Sequence, residues 1–203
     1  MFVLTVDQRS SRTTEDAVPS LRGAAPGALV GFTRTVGDEA QAVFDRAGPA
    51  VRCLVDLVLT GRWHGGLGIG GIEGTLPDDV RRARGTAFVH AREAVEAAKG
   101  TPSHLSVRSG EADGEMLEAS LRVLVSVRGR QRATTREAYG LALGGASQSE
   151  IADRLGISQQ AVSDRLGTGL FRELEGLMTQ AALLAGRVSE RLSGEDSPGI
   201  AAA

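Results

Sequence analysis

The sequence contains a single cysteine, a single lysine and no long hydrophobic run. Cys53 has no partner for an intrachain disulfide, and its apolar neighbours indicate a packed core side chain rather than a reactive thiol. No run of about 18 apolar residues is available to cross a membrane. The first residues also lack the basic, apolar and cleavage regions of a signal peptide. These absences predict a cytoplasmic protein with no membrane partner.

The composition is that of an ordinary globular protein. Of the 203 residues, 41% are hydrophobic and 24% are charged, enough for one large domain or for a medium domain and a small one. The net charge of −2 argues against an evenly basic nucleic-acid-binding surface and leaves local patches open. Arginine supplies nearly every basic residue, as is typical of a GC-rich bacterial genome.

Strand and helix patterns alternate over residues 1–110, which we expect to form one domain. The order is strand, helix, hairpin, helix, strand, helix, strand, which is the split βαβ arrangement. It predicts an α+β fold with a ferredoxin-like, cyclase-palm-like antiparallel sheet and helices on one face. The predicted elements are a strand at 2–6, a helix from there to Gly23, a hairpin at 28–44, a helix from Pro49, a strand at 65–75, a helix at 78–100 and a strand at 103–109.

Residues 115–192 have helical patterns throughout and predict a second, all-α domain, followed by a disordered tail at 193–203. Within the helical domain, Ser147 and Glu150 have the spacing of a capping box. Gly156 suits a tight turn, and Ser158 suits the start of another helix. Two helices joined by a short turn containing glycine predict a helix-turn-helix at 147–166, which places its second helix in the major groove of DNA.

The outward face of the second helix carries side chains suited to reading bases. Glutamine can pair with adenine through two hydrogen bonds, and serine can contact several bases. Arginines nearby can reach phosphates, and five arginines with no acid between them form a basic stripe over 121–136. A helical hairpin that binds a protein, or no partner, is the alternative. The predicted DNA-contacting residues are Gln159, Gln160, Ser163, Asp164, Arg165 and Arg154.

The same region resembles a known family of DNA-binding motifs. The segments "TTREAYGLAL", "EIADRLGIS" and "QQAVSDRL" resemble the helix-turn-helix of sigma-factor region four and of LuxR-type response regulators. The resemblance implies a transcription regulator that binds double-stranded DNA. It places Gln159, Gln160 and Ser163 at recognition-helix positions.

Apolar residues continue at helical spacing after the motif and form a seam that needs a packing partner. Packing on the protein's own N-terminal domain is one interpretation. The other is a homodimer, which presents two recognition helices to a two-fold symmetric site. The seam comprises Leu166, Leu170, Leu174, Leu177, Ala181, Leu184, Val188 and Leu192.

An acidic hairpin in the N-terminal domain suggests a metal site. Asp7 ends the first predicted strand and Asp38 lies at the hairpin tip, so their carboxylates could hold Mg²⁺ for phosphoryl transfer. The segments "VLTVDQRSS", "TVGDEAQAVF" and "GGLGIGGI" resemble class III nucleotide cyclases and the related GGDEF domains. The sequence departs from these families at Val36 and Ala40, and Phe88 or Val89 stands where a cyclase has its transition-state asparagine.

These departures predict a protein that is not an enzyme and needs no cofactor, although Mg²⁺ would bind if the nucleotide site is retained. The segments "DQRSSR", "TVGDEAQ" and "GTAFVHAREAVEAAK" are also similar to the SatD family of bacterial proteins. That resemblance supports the architecture. Arg81, Arg82 and Arg84 form either a solvated helix start or the edge of an anion pocket completed by Arg92.

The sequence therefore leaves three hypotheses. The first is a DNA-binding transcription regulator whose N-terminal domain senses a nucleotide-like effector or mediates dimerisation. The second is a Mg²⁺-dependent nucleotidyl cyclase or phosphotransferase that uses Asp7 and Asp38. The third is an adaptor that binds the transcription machinery.

Overall fold

The structure is a computed structural model that describes residues 1–11, 13–77 and 80–195. Within these residues, five strands form one sheet and seven α-helices surround it, which confirms the α+β class. The strands are β1 (Phe2–Gln8), β2 (Val30–Arg34), β3 (Glu39–Phe44), β4 (Trp63–Ile69) and β5 (Leu105–Arg108). The helices are α1 (Ala47–Leu59), α2 (Thr86–Lys99), α3 (Ala112–Gly129), α4 (Ala133–Leu143), α5 (Gln148–Leu155), α6 (Gln159–Thr168) and α7 (Phe171–Glu195).

The sheet is mixed, in the order β2-β3-β1-β4-β5. Strand β1 is antiparallel to both β3 and β4, whereas β5 is parallel to β4. The prediction of an antiparallel sheet is therefore wrong at this edge. The reason is that α2 carries the chain back along the sheet, so β5 runs in the same direction as β4.

Helices cover both faces of the sheet, not one face as predicted. A Cβ atom added at Gly65 would meet Leu54 of α1, while one added at Gly66 would lie 2.1 Å from the backbone nitrogen of Val95 in α2. Successive residues of a strand point to opposite faces, so α1 and α2 lie on opposite sides of β4. The missing side chain at Gly66 lets α2 lie directly on the strand.

The predicted helix between β1 and Gly23 is wrong, because the described residues of this segment form only a 3-10 turn over Val18–Leu21. The amide of Gln8 donates to the carbonyl oxygen of Glu15 at 2.7 Å and accepts from the backbone nitrogen of Ala17 at 2.7 Å. Such side-chain bonds offer the backbone an alternative to a helix. The segment is therefore folded around a glutamine at the end of β1.

Two predicted boundaries also change. Helix α2 begins at Thr86, after Gly85 with its φ of 131°, and Asp78 and Asp79 at the predicted start lie outside the described residues. Helix α7 continues to Glu195, so residues 193–195 are helical instead of disordered. The rest of the predicted tail, 196–203, lies outside the described residues.

One hydrophobic core extends from the sheet through α1 and α3 to α7. Cys53 is buried in it, and burial raises the pKa of its thiol to about 12, which confirms the predicted core role. The apolar side of α7 packs against α1 and α3, so the chain itself covers the part of the predicted seam that lies in α7. Leu166 and Leu170 precede this helix, and Leu170 is exposed. The buried residues on this side of α7 are Leu174, Met178, Ala181, Ala185 and Val188, of which Met178 and Ala185 are not in the predicted seam. No helix among the described residues is both long and apolar enough to cross a membrane.

The contact between α2 and β4 gives a stability prediction. Gly66→Ala should lower the free energy of unfolding by about 3 kcal/mol, because the new methyl group overlaps the backbone of Val95. Gly176→Ala in α7 is the control, because a Cβ atom there meets open space. The control should stabilise by about 0.5–1 kcal/mol. Urea denaturation followed by circular dichroism measures both, and equal shifts would contradict the close packing.

Candidate nucleic-acid interface

Helices α5 and α6 are joined by three residues and are capped as the sequence indicates. The Ser147 side chain accepts from the backbone nitrogen of Glu150, whose carboxylate in turn accepts from the backbone nitrogen of Ser147 at 2.8 Å. Gly156 ends α5 in the left-handed conformation, and Ser158 caps α6 by accepting from the backbone nitrogen of Ala161 at 3.1 Å. These local bonds satisfy the free ends of two short helices.

A small apolar cluster, separate from the main core, fixes α4, α5 and α6 to one another. Ala138, Ile151, Ala152 and Val162 are its buried members. Because Val162 is fully buried, the opposite side of α6 faces outward. This arrangement presents the first turn of α6 at the surface.

The structure places most of the predicted DNA-contacting residues on the exposed side of this unit. Gln159, Gln160, Asp164 and Arg154 are exposed, whereas Ser163 and Arg165 are half-buried. The amide of Gln160 donates to a carboxylate oxygen of Asp164 at 2.9 Å. The Gln160 side chain therefore lies along α6, bonded to the Asp164 carboxylate. This carboxylate and a DNA phosphate would repel each other.

An arginine-lined cleft of about 560 Å³ lies beside α6, between the end of α3 and the start of α4. Arg130, Arg132 and Arg165 line it. The amide nitrogen of Gln131 donates to the carbonyl oxygen of Gly169 at 2.6 Å and so fixes the end of α6 against the α3–α4 connection. Three guanidinium groups are therefore grouped next to the exposed face of α6.

The basic stripe predicted over 121–136 is divided by the fold. Arg122 pairs with Glu118 at 2.7 Å, and the guanidinium of Arg128 lies 4.2 Å from the ring centre of Tyr139. The side chains of Arg122 and Arg128 therefore contact other side chains of the protein. The exposed members of the stripe are Arg130, Arg132 and Arg136.

A polar cluster joins α4 to α7 and α1. A carboxylate oxygen of Glu175 accepts from the hydroxyl of Tyr139 at 2.7 Å, and the same carboxylate pairs with Arg52 at 2.6 Å. Burial by itself raises the pKa of Glu175, but the hydrogen bonds from Arg52 and Tyr139 reverse this effect and lower the pKa. Sequence reasoning missed this cluster, because its members lie far apart in the chain.

The two acids of the proposed metal site are Asp7 in β1 and Asp38 in the turn before β3, and the fold brings these two segments together. Asp7 of β1 lies opposite Glu39 of β3 in the antiparallel register of the sheet, and Asp38 is the residue just before Glu39. The carboxylate of Asp7 lies 3.1 Å from the ammonium of Lys99. The ammonium group of Lys99, the last residue of α2, thus lies beside the Asp7 carboxylate, where a metal ion bound by Asp7 would have to lie. Within the described residues, no cluster of three or more His, Cys, Asp or Glu side chains is arranged to hold a metal ion.

Arg92 lies elsewhere on the same face of the sheet. It lines a cleft with Arg82, Arg84 and the hairpin residues Thr35 and Val36. The structure therefore brings Arg92 to the arginine segment, as one of the two sequence interpretations expects.

Comparisons of the chain with known protein families, with curated proteins and with solved structures found no match. The function must therefore be argued from the side chains.

The Glu175 cluster gives a pH prediction. The pKa of Glu175 is lower in the folded state than its ordinary value of 4.5. The ionised Glu175 carboxylate therefore stabilises the fold fully above pH 4.5, and this stabilisation is lost as the pH falls below that value. Glu175→Gln should remove this dependence. Urea midpoints measured from about pH 3 to pH 6 should therefore converge between wild type and variant as the solution is acidified.

The matched control is Glu173→Gln, an exposed acid on the same helix. Its stability should run parallel to wild type at every pH. A Glu175→Gln curve that also ran parallel to wild type would show that the pairing with Arg52 and Tyr139 does not favour the charged form.

Proposed function

We propose that this protein is a DNA-binding transcription regulator in which α5 and α6 form a helix-turn-helix. The observation that carries the proposal is the orientation of α6. It buries Val162 and exposes Gln159 and Gln160 beside a cleft lined by three arginines. Glutamine amides can read adenine in the major groove, and arginines beside them can neutralise backbone phosphates. The combination is that of a base-reading helix with a phosphate contact next to it.

We also propose that the protein is cytoplasmic and that its N-terminal domain is a cyclase-related domain of ferredoxin-like ancestry. This domain would bind an anionic effector without converting it. The ion pair between Asp7 and Lys99 supports a binding role, because it occupies one of the two carboxylates that a catalytic metal would need. A homodimer on a two-fold site would have to form through a surface other than the buried seam of α7.

The base-reading role is tested by selecting bound sequences from random double-stranded DNA and measuring affinity for the enriched site. Gln160→Ala combined with Ser163→Ala should weaken binding to that site by about 5- to 150-fold, with little change on unrelated DNA. Gln180→Ala, an exposed glutamine of α7, is the control and should bind as wild type does. If no sequence is enriched, the adaptor hypothesis replaces this one.

The phosphate-contacting role has its own signature. Arg130→Ala and Arg132→Ala should each weaken binding to every DNA sequence and reduce the slope of log affinity against log salt by about 0.9. Arg187→Ala, an exposed arginine of α7, should leave the slope unchanged. Unchanged slopes for Arg130→Ala and Arg132→Ala would remove this cleft from the interface.

A further inference from the structure

A second arginine-lined cleft, of about 570 Å³, lies on the α2 side of the sheet. Its walls are the segment 80–85, the first half of α2 and the hairpin residues Thr35 and Val36. Gln41 of β3, only 3% exposed, lies at its base. Its volume is within the range of small-molecule sites.

The arginines of this cleft differ from the paired arginines of the protein. The side chains of Arg82, Arg84 and Arg92 have no hydrogen bond or ion pair within the described part of the chain. By contrast, Arg52 pairs with Glu175 and Arg122 pairs with Glu118. Residues 80–92 contain four arginines and no acid, and the cleft is lined by one acid, Glu73. Three guanidinium groups from two structural elements are thus available around one cavity.

The segment that carries these arginines is fixed in place by its backbone. The nitrogen of Glu73 donates to the carbonyl oxygen of Arg84 at 2.9 Å, and the nitrogen of Ala87 donates to that of Gly71 at 3.1 Å. Gly85 has φ of 131°, and a Cβ atom there would lie 2.5 Å from the carbonyl oxygen of Gly71. The backbone at the start of α2 is therefore engaged within the protein, and an anion would be held by the side chains.

The lining indicates the class of ligand. Guanidinium groups bind phosphate oxygens through paired, charge-assisted hydrogen bonds. The apolar side chains of Val36 and Val89 line the same cleft, are 77% and 56% exposed, and suit an organic group. Gln41 donates to the hydroxyl of Thr5 at 3.1 Å, which fixes its amide at the base of the cleft.

We propose that Arg82, Arg84 and Arg92 form a binding site for a small phosphate ester, with the phosphate at the arginines and the organic group on Val36 and Val89. This inference deepens the effector-binding half of the proposed function and rests on it. It does not depend on DNA binding by α6.

Calorimetric titration of the full chain with phenyl phosphate, inorganic phosphate and phenol tests the site. Phenyl phosphate should bind saturably and more tightly than inorganic phosphate, and phenol should not bind. Arg84→Gln combined with Arg92→Gln should weaken phenyl phosphate binding by about tenfold or more. The NMR signals of the Gln41 side-chain amide should shift on binding to wild type.

Arg187→Gln is the matched control, because it removes an exposed arginine of α7 and should bind phenyl phosphate as wild type does. An equal loss in this control would show unspecific charge attraction and overturn the site. Equal affinity for phenyl phosphate and inorganic phosphate, or no saturable binding, would overturn it as well.

Phosphate groups also occur in nucleic acid, and competition separates the two sources. Random double-stranded DNA should not displace phenyl phosphate from the wild-type protein. Displacement, with a matching loss of DNA affinity in the double variant, would assign the cleft to nucleic acid and contradict the proposal. If phenyl phosphate binds as expected but the selection from random DNA enriches no sequence, only the DNA-binding proposal is contradicted.

Discussion

The position of the proposed DNA-reading helices depends on the carboxylate of Glu175. It joins Tyr139 of α4 to Arg52 of α1, while Arg128 of α3 lies over the ring of Tyr139. Four helices therefore meet at one half-buried polar cluster. Removing one member of such a cluster leaves the others without partners, which costs more than the net energy of one hydrogen bond. The cluster therefore ties α4 to α1, α3 and α7.

The two arginine-lined clefts follow from this architecture. The main core holds α1, α3 and α7 on one side of the sheet, and α2 covers the other side. The cleft with Arg130 and Arg132 lies at the end of α3, next to α6. The cleft with Arg84 and Arg92 lies by α2. The proposed regulator would need two separate charged surfaces, and the two clefts lie on different elements of the fold.

Local features of this protein were predictable from sequence, and long-range ones were not. Ser147, Glu150 and Gly156 act on their immediate neighbours, so their spacing was enough to predict the caps of α5 and α6. The fold of the segment after β1 depends on where the amide of Gln8 reaches, and the helical pattern there gave the wrong structure. The pairing of Asp7 with Lys99 joins residues far apart in the chain, so the motif around Asp38 could not reveal it.

Photo-crosslinking shows whether α6 contacts DNA bases, as we propose. A photo-crosslinking residue at the position of Gln160, compared with one at Gln180 of α7, reports which surface meets DNA in the living cell. If α6 enters the major groove, position 160 alone gives covalent DNA adducts, and these are sensitive to nuclease. Adducts at position 160 that contain only polypeptide, or equal DNA adducts from both positions, would contradict it.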